Sequence, residues 1–110
     1  MLLALYSPTG QLVSGFGNGG SKLVAIGNGG NAQANAVVLS SSGSDVLVAG
    51  RAVQGSAYEE FFAAFNASTG AAVGTNYLGS FGSGTDTEAN AIALDGSDVL
   101  LAGFTSTANG

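Results

Sequence analysis

The chain repeats itself. Ala34-Asn35-Ala36-Val37-Val38-Leu39 returns as Ala89-Asn90-Ala91-Ile92-Ala93-Leu94, and Ser44-Asp45-Val46-Leu47-Val48-Ala49-Gly50 returns as Ser97-Asp98-Val99-Leu100-Leu101-Ala102-Gly103. Ten of the thirteen aligned positions are identical. The offset is 55 in the first segment and 53 in the second, because the linker shortens from Ser40–Gly43 to Asp95-Gly96. Two matched segments with a length change only between them have the form of a hairpin, whose strands are packed and whose tip is free to vary. A fainter echo lies upstream: Leu3-Ala4-Leu5-Tyr6 before Ser-Pro-Thr-Gly parallels Phe62-Ala63-Ala64-Phe65 before Asn-Ala-Ser-Thr-Gly. The unit is thus 53 to 60 residues long. Such periods belong to solenoids, propellers and arrays, and about four strands per unit select propeller blades.

The punctuation agrees. Short apolar stretches cover 2–6, 11–13, 22–26, 34–39, 45–49, 61–65, 71–78, 89–94 and 98–102, and clusters of Gly, Ser, Asn, Asp and Thr separate them. Runs of this length between turn residues read as strands and hairpins. A helix over Tyr58–Ala67 is the alternative, since Glu59-Glu60-Phe61-Phe62-Ala63-Ala64 are adequate helix formers; the aromatic density and Gly70 favour a strand. Ala34–Leu39, small and apolar throughout, is expected to be an inner strand covered on both faces, with the aromatics of 61–65 in wider space between blades. The fold expected is all-β: one domain over 1–110 holding about two four-stranded antiparallel propeller blades, circularly permuted, with a partial blade at 1–33, a full blade at 34–79 and a partial blade at 80–110. Two blades cannot close a ring. The chain is therefore expected to be an excerpt of a longer propeller, or else a subunit that assembles into one.

Composition removes whole classes of chemistry. With no Cys and no His, disulfides, Cys/His zinc sites and Ser–His or Cys–His nucleophile pairs are excluded. Lys22 and Arg51 are the only basic side chains and the net charge is −5, so nucleic acid is not an expected partner. At 45 % hydrophobic the chain is too apolar for a disordered tail. No apolar run approaches the roughly 18 residues of a membrane span. The apolar start, Met1–Tyr6, lacks a basic flank and stops at Ser7-Pro8, so no export signal is read there.

One family fits this order of motifs. Phe62-Ala-Ala-Phe-Asn-Ala-Ser-Thr-Gly70, Tyr77-Leu78-Gly79, Gly82-Ser-Gly-Thr-Asp86, Ala89-Asn-Ala-Ile-Ala-Leu-Asp95 and Val99-Leu-Leu-Ala-Gly103-Phe104-Thr105 together resemble the bacterial β-propeller repeat called the SBBP repeat. The first copy, with Phe16-Gly-Asn-Gly-Gly20, leans toward the related delta-sixty repeat. The resemblance covers nearly the whole chain. It departs at Ala64, where a basic residue is common, at Leu100, where an aromatic is common, and in the short turn at Asp95–Asp98. The resemblance implies a repeat module of large secreted or surface-attached bacterial proteins, a display or adhesion scaffold without catalytic residues. Its partners would be other blades, in cis or in a homo-oligomer, and a protein or carbohydrate ligand. The alternative is a two-blade subunit that assembles into a ring and binds sugars like a lectin.

Accordingly no residue is assigned as catalytic, cofactor-binding or metal-ligating, and no cofactor is expected. Several motifs carry a sharper reading beside the plain one. Gly15-Phe-Gly17-Asn-Gly-Gly20 matches a dinucleotide fingerprint, but strand-like Ser21–Ile26 follows it instead of a helix, so it reads as a turn. Asp45 and Asp98 follow Gly-Ser turns as in calcium-binding β-rolls; without tandem repeats they are expected to cap the turn. Asp86-Thr87-Glu88, the densest acidic stretch, could hold calcium. The first copy's counterpart, Gly29-Gly-Asn31-Ala-Gln33, has amides instead, which argues against a shared metal site. A paired-carboxylate hydrolase using Asp86 is the one enzyme class the composition leaves open. Asn66-Ala67-Ser68 fits a glycosylation sequon at a turn. Glu59-Glu60 reads as a solvated strand edge, or as a charge gate against edge pairing. Tyr58, Tyr77, Phe81 and Phe104 are the aromatics that could stack on sugars, and their plain role is packing between blades.

Overall fold

The computed structural model describes residues 1–28, 30–79 and 86–106, apart from the side chain of Thr75. Every described element in it is a strand: β1 (Leu2–Ala4), β2 (Ser21–Leu23), β3 (Ala32–Leu39), β4 (Asp45–Gln54), β5 (Ala57–Asn66), β6 (Ala72–Gly79), β7 (Thr87–Asp95) and β8 (Asp98–Thr105). The segment from Tyr58 to Asn66 is strand, not helix. Pairing on both sides decides this, because β5 gives its backbone to β4 along ten residues and to β6 along the other edge.

Three antiparallel sheets result. β3-β4-β5-β6 form a four-stranded meander, flanked in sequence by the pair β1-β2 and the pair β7-β8. The turns are local, closed by bonds such as Gly43 N–H to the Ser40 carbonyl at 2.8 Å and Gly70 N–H to the Asn66 carbonyl at 2.8 Å. Gln11–Val13 shrinks from the expected strand to a single bridge, Tyr6 to Leu12. The Ser7–Gly10 turn leaves it no room to extend, since Ser7 N–H already bonds the Gln11 carbonyl at 2.7 Å.

Alternation along each strand places side chains on opposite faces. In the meander one face carries Val46, Val48, Ala52, Phe61, Ala63 and Phe65, which form the core with Ile26. Met1, Leu3 and Val24 of the β1-β2 region pack onto this face. The other face carries Leu47 and Ala49, which are buried, and it is against β3, β4 and β5 that β7 packs. The middle sheet is thus covered on both sides, with Val48, Ala49 and Phe61 fully inaccessible.

The strand covered on both faces is β4, not Ala34–Leu39 as the residue types suggested. β3 is an edge strand, and Val37 and Leu39 are 62 % and 54 % exposed on it. Both pair across the ladder with Val48 and Val46 and so share the core face, but β1 is only three residues long and leaves a groove over them. Extents of 48 × 31 × 25 Å and a radius of gyration of 14.6 Å describe sheets laid side by side; about 13 Å would suit a rounded domain of this length.

Each repeated hairpin carries the same irregularity. The β3-β4 register shifts between Ala34 and Ala36, and the β7-β8 register shifts between Ala89 and Ala91. The residue left over is Asn35 in one and Asn90 in the other. Opposite each bulge stands the last glycine of the second repeated segment. A Cβ on Gly50 would collide with the Gln33 carbonyl, and one on Gly103 with the Glu88 carbonyl. Only glycine lets the bulged backbone come this near.

Candidate functional site

The bulge builds a polar seam between two sheets. It turns Asn35 out of the β3-β4 ladder and toward the neighbouring sheet. There the Asn35 amide donates to the Glu88 carboxylate at 2.9 Å and to the Ala89 carbonyl at 2.9 Å, with Asn90 Oδ1 at 3.4 Å. Its own Oδ1 accepts from Gln33 Nε2 at 2.7 Å. One residue past Gly50, Arg51 joins from β4: its Nη1 lies 3.5 Å from Glu88 Oε2. The guanidinium sits 4.2 Å above the ring of Tyr58, a cation–π geometry. The Tyr58 N–H donates in turn to Asp86 Oδ1 at 2.9 Å. A seam of amide, guanidinium, ring and carboxylates therefore clasps the middle sheet to β7-β8, beside a cavity of about 230 Å³ lined by Asn31, Ala32, Gln33, Arg51 and Tyr58.

The chemistry of this seam is that of a clasp. Both acids of Asp86-Thr87-Glu88 are engaged by donors: Glu88 by a cation and an amide, Asp86 by a backbone N–H. Glu88, held by a cation and an amide, has less left to offer a hard cation than Asp86, whose carboxylate accepts one backbone N–H. Glu88 is drawn to Arg51 and Asp86 to the backbone N–H of Tyr58. Among the described residues no three carboxylates gather to hold a metal ion. The buried Arg51 Nε has no hydrogen-bond partner.

The other singled-out residues fall into place around turns and packing. Gly15–Gly20 is a turn that inserts Phe16, 4 % exposed, beside Gly70, and β2 follows directly. The turn before Asp45 is closed by serine and not by the aspartate: Ser40 Oγ accepts the Asp45 N–H at 3.1 Å, and Ser42 and Ser44 join it in a hydroxyl chain. A hydroxyl at the turn's first residue reaches the closing amide without the longer detour of a carboxylate at its last. Asn66 Oδ1 accepts the N–H groups of Ser68 and Thr69, both at 2.9 Å, so the sequon's side chain forms an Asx turn. Glu59-Glu60 does not lie at a sheet edge, because β5 is an interior strand: Glu60 pairs with Arg51 on one side and Gly79 on the other. Burial pushes the Glu60 carboxyl above its ordinary value. Lys22, the other base, donates to the Gly70 carbonyl at 2.8 Å and lies 5.5 Å from the Phe65 ring centre.

Of the aromatics, Tyr58 lies under Arg51, and Tyr77 stacks on Phe62 of the adjacent strand at 5.7 Å while remaining 62 % exposed. Phe104 is 51 % exposed on the far side of β8. Phe81 lies outside the described residues. Two wider grooves run between sheets. One of about 570 Å³ separates β1 from β3 and is lined by Leu2, Leu3, Val37 and Leu39. Another of about 520 Å³ separates β5-β6 from the β7-β8 turn and is lined by Glu60, Phe62, Tyr77, Asp98 and Leu101. Among the described residues no helix is long and apolar enough to cross a membrane.

Sequence reasoning ranked Asp86 and Glu88 as acids and missed that Arg51, Tyr58 and Asn35 hold them. The signal was there in Asn35: an Ala-Asn-Ala repeated intact, in a strand where a polar residue has no ladder role. No protein-family model matches the chain, and neither a curated protein nor a solved structure does.

Proposed function

We propose that this chain is a non-enzymatic structural and interaction module, a β-propeller repeat segment of the SBBP type from a bacterial secreted or surface protein. In this reading it serves as a display or adhesion scaffold. The supporting observation is the layering: a four-stranded meander lies between two strand pairs, one packed on each of its faces. The engaged state of Asp86 and Glu88 and the internal use of Lys22 and Arg51 fit a module that spends its polar groups on joining sheets. A propeller and a solenoid are both built from such units. A genetic concatemer of three copies separates them by small-angle scattering or particle imaging. The propeller reading expects a closed disc, and an open rod that lengthens with each added copy overturns it.

A second reading, sugar binding by the assembled module, draws on one observation. The exposed ring of Tyr77 stands over the groove that also holds the carboxylates of Glu60 and Asp98. An exposed ring with nearby acceptors is what a saccharide needs for stacking and hydrogen bonding. A glycan array probed with the folded protein tests it. The expected hit is lost on Tyr77→Ala, and an array without hits removes this reading.

A further inference from the structure

The tetrapeptide Gly-Asn-Gly-Gly occurs twice, at 17–20 and at 27–30. Asn18 and Asn28 therefore have the same immediate neighbours in sequence, but the fold treats them differently. Asn28 is tied down through its side chain. Its Oδ1 accepts the Gly55 N–H at 2.8 Å, and its backbone N–H donates to the Val53 carbonyl at 3.0 Å. Asn18 is held through its backbone, whose N–H donates to the Ser21 carbonyl at 2.7 Å. Its side-chain amide has no hydrogen-bond partner among the described residues, and neither has the backbone N–H of Gly19. Both residues are exposed. Gly19 sits at φ 68°, and the space that a Cβ would take there is open.

A free side-chain amide beside a free main-chain N–H is a reactive pair. The Gly19 nitrogen and Asn18 Cγ belong to adjacent residues and can close a five-membered ring, so the attack is intramolecular and needs only the right approach. Glycine puts no side chain in the way of that approach. At Asn28 the bond to Gly55 must break before Cγ can swing onto the next nitrogen.

We propose that Asn18-Gly19 is a site of spontaneous deamidation, and that its conversion unlatches the β1-β2 region from the middle sheet. The Gly19 nitrogen gives its proton to solvent base and attacks Asn18 Cγ. The new C–N bond forms, the Cγ–Nδ2 bond breaks, and ammonia leaves. The succinimide ring then takes up one water at either of its two carbonyls. Opening at Cγ yields aspartate. Opening at the main-chain carbonyl yields isoaspartate, whose main chain runs through Cγ and is one carbon longer.

The two products act differently on the turn. Three main-chain bonds build it: Gly17 N–H to the Thr69 carbonyl at 2.9 Å, Gly20 N–H to the Phe16 carbonyl at 2.8 Å, and Asn18 N–H to the Ser21 carbonyl at 2.7 Å. They seat the buried Phe16 beside Gly70 and launch β2. An extra main-chain carbon between residues 18 and 19 puts the Phe16–Gly20 and Asn18–Ser21 bonds out of register. Met1, Leu3 and Val24, which pack on the core, then lose the turn that positions their strands. Aspartate leaves the main-chain spacing unchanged. Its charge enters a groove of about 560 Å³ that residue 18 shares with Lys22. Lys22 has no carboxylate partner among the described residues. An exposed pair of this kind changes stability little, so the aspartate form keeps the latch and the isoaspartate form opens it.

Peptide mapping of the folded protein, aged in mildly alkaline buffer, tests the site. Trypsin cuts after Lys22 and Arg51, which puts each of the three Asn-Gly pairs, at Asn18, Asn28 and Asn109, on a peptide of its own. Mass spectrometry reads the exchange of amide for carboxyl, and fragmentation tells isoaspartate from aspartate. In the folded chain Asn18 is expected to convert at least about tenfold faster than Asn28, and faster as pH rises, because the attacking nitrogen must lose its proton. In guanidinium chloride the two rates should converge, since the tetrapeptides are identical. Hydrogen exchange reads the consequence at the Val24 amide, which donates to the Met1 carbonyl at 2.9 Å. It should exchange faster in the aged chain and at the original rate in freshly made Asn18→Asp. Asn18→Gln, which would need a six-membered ring, should age without change. Equal conversion of Asn18 and Asn28 in the folded chain, or an intact Asn18 there while the denatured chain converts, would overturn the site, and this arm needs no variant to fold. An isoaspartate-bearing chain whose Val24 amide exchanges as in the fresh protein would overturn the unlatching. So would fast exchange in fresh Asn18→Asp, because charge and not main-chain length would then open the turn.

Discussion

A single hydrogen atom is what Gly50 must keep. The bulge at Asn35 presses the Gln33 carbonyl onto the Gly50 α-carbon, and any side chain there would have to displace backbone. Gly50→Ala is expected to destabilise the fold by about 2–4 kcal/mol, read from urea unfolding. Gly103→Ala repeats the insult in β7-β8 and is expected to loosen that hairpin while β3-β6 keeps its spectrum. Equal, negligible effects at both positions would mean the bulges relax easily. Phe61 and Phe65 fill the core face almost without exposure, so truncating either to Ala is expected to cost about 3–5 kcal/mol. Glu60 offers a pH handle. Burial raises its carboxyl above the ordinary value of 4.5, so ionising it costs more in the folded chain than in the unfolded one. The group's stability contribution is therefore complete below 4.5 and is lost as pH rises through its higher folded value. Glu60→Gln removes that loss. The variant's melting temperature should exceed the wild type's at neutral pH, with the gap closing as pH falls below 4.5. A gap independent of pH would show that Glu60 is well hydrated.

At the scale of elements, the clasp between β3-β4 and β7 rests on Asn35, Arg51 and Glu88. Asn35→Ala removes the amide that bridges to Glu88 and the Ala89 carbonyl and is expected to cost about 1–2 kcal/mol. A double-mutant cycle with Glu88→Ala should return a coupling of about 0.5 kcal/mol or more; strict additivity would mean the two residues act apart. This scale also shows what could be read in advance. The repeated hairpins were legible because Ser-Asp-Val-Leu and Ala-Asn-Ala keep both residue type and order across copies. The strand at β5 was legible against the helix alternative through its aromatic density and the turn at Gly70. What escaped was whatever depends on partners. β3 and β4 look alike in composition, and only the short reach of β1 leaves Val37 and Leu39 bare while Val48 is sealed. Glu59-Glu60 looks like an edge until β6 is seen to pair beside it. Arg51 escaped for the opposite reason. It is where the copies differ, with Phe104 at the matching place, and a repeat search discards differences although they mark the individual junction.

For the whole molecule, coverage sets the order in which parts open. The middle sheet is shielded on both faces, whereas β1-β2 and β7-β8 each lend one face to it and leave the other bare. Amide hydrogen exchange reads this directly, because local opening is easiest where few apolar contacts must break. The slowest amides are expected in β4 and β5, around Val48, Ala49 and Phe61, exchanging only through global unfolding. Those of β8 around Leu100 and Ala102 should exchange faster by orders of magnitude despite matching β4 at most positions, since β8 lacks both a covering sheet and the second flanking strand that β5 gives β4. Uniform protection across β4 and β8 in the isolated chain would mean that stability resides in the hairpins themselves, and stacking would then be a consequence of the fold instead of its cause.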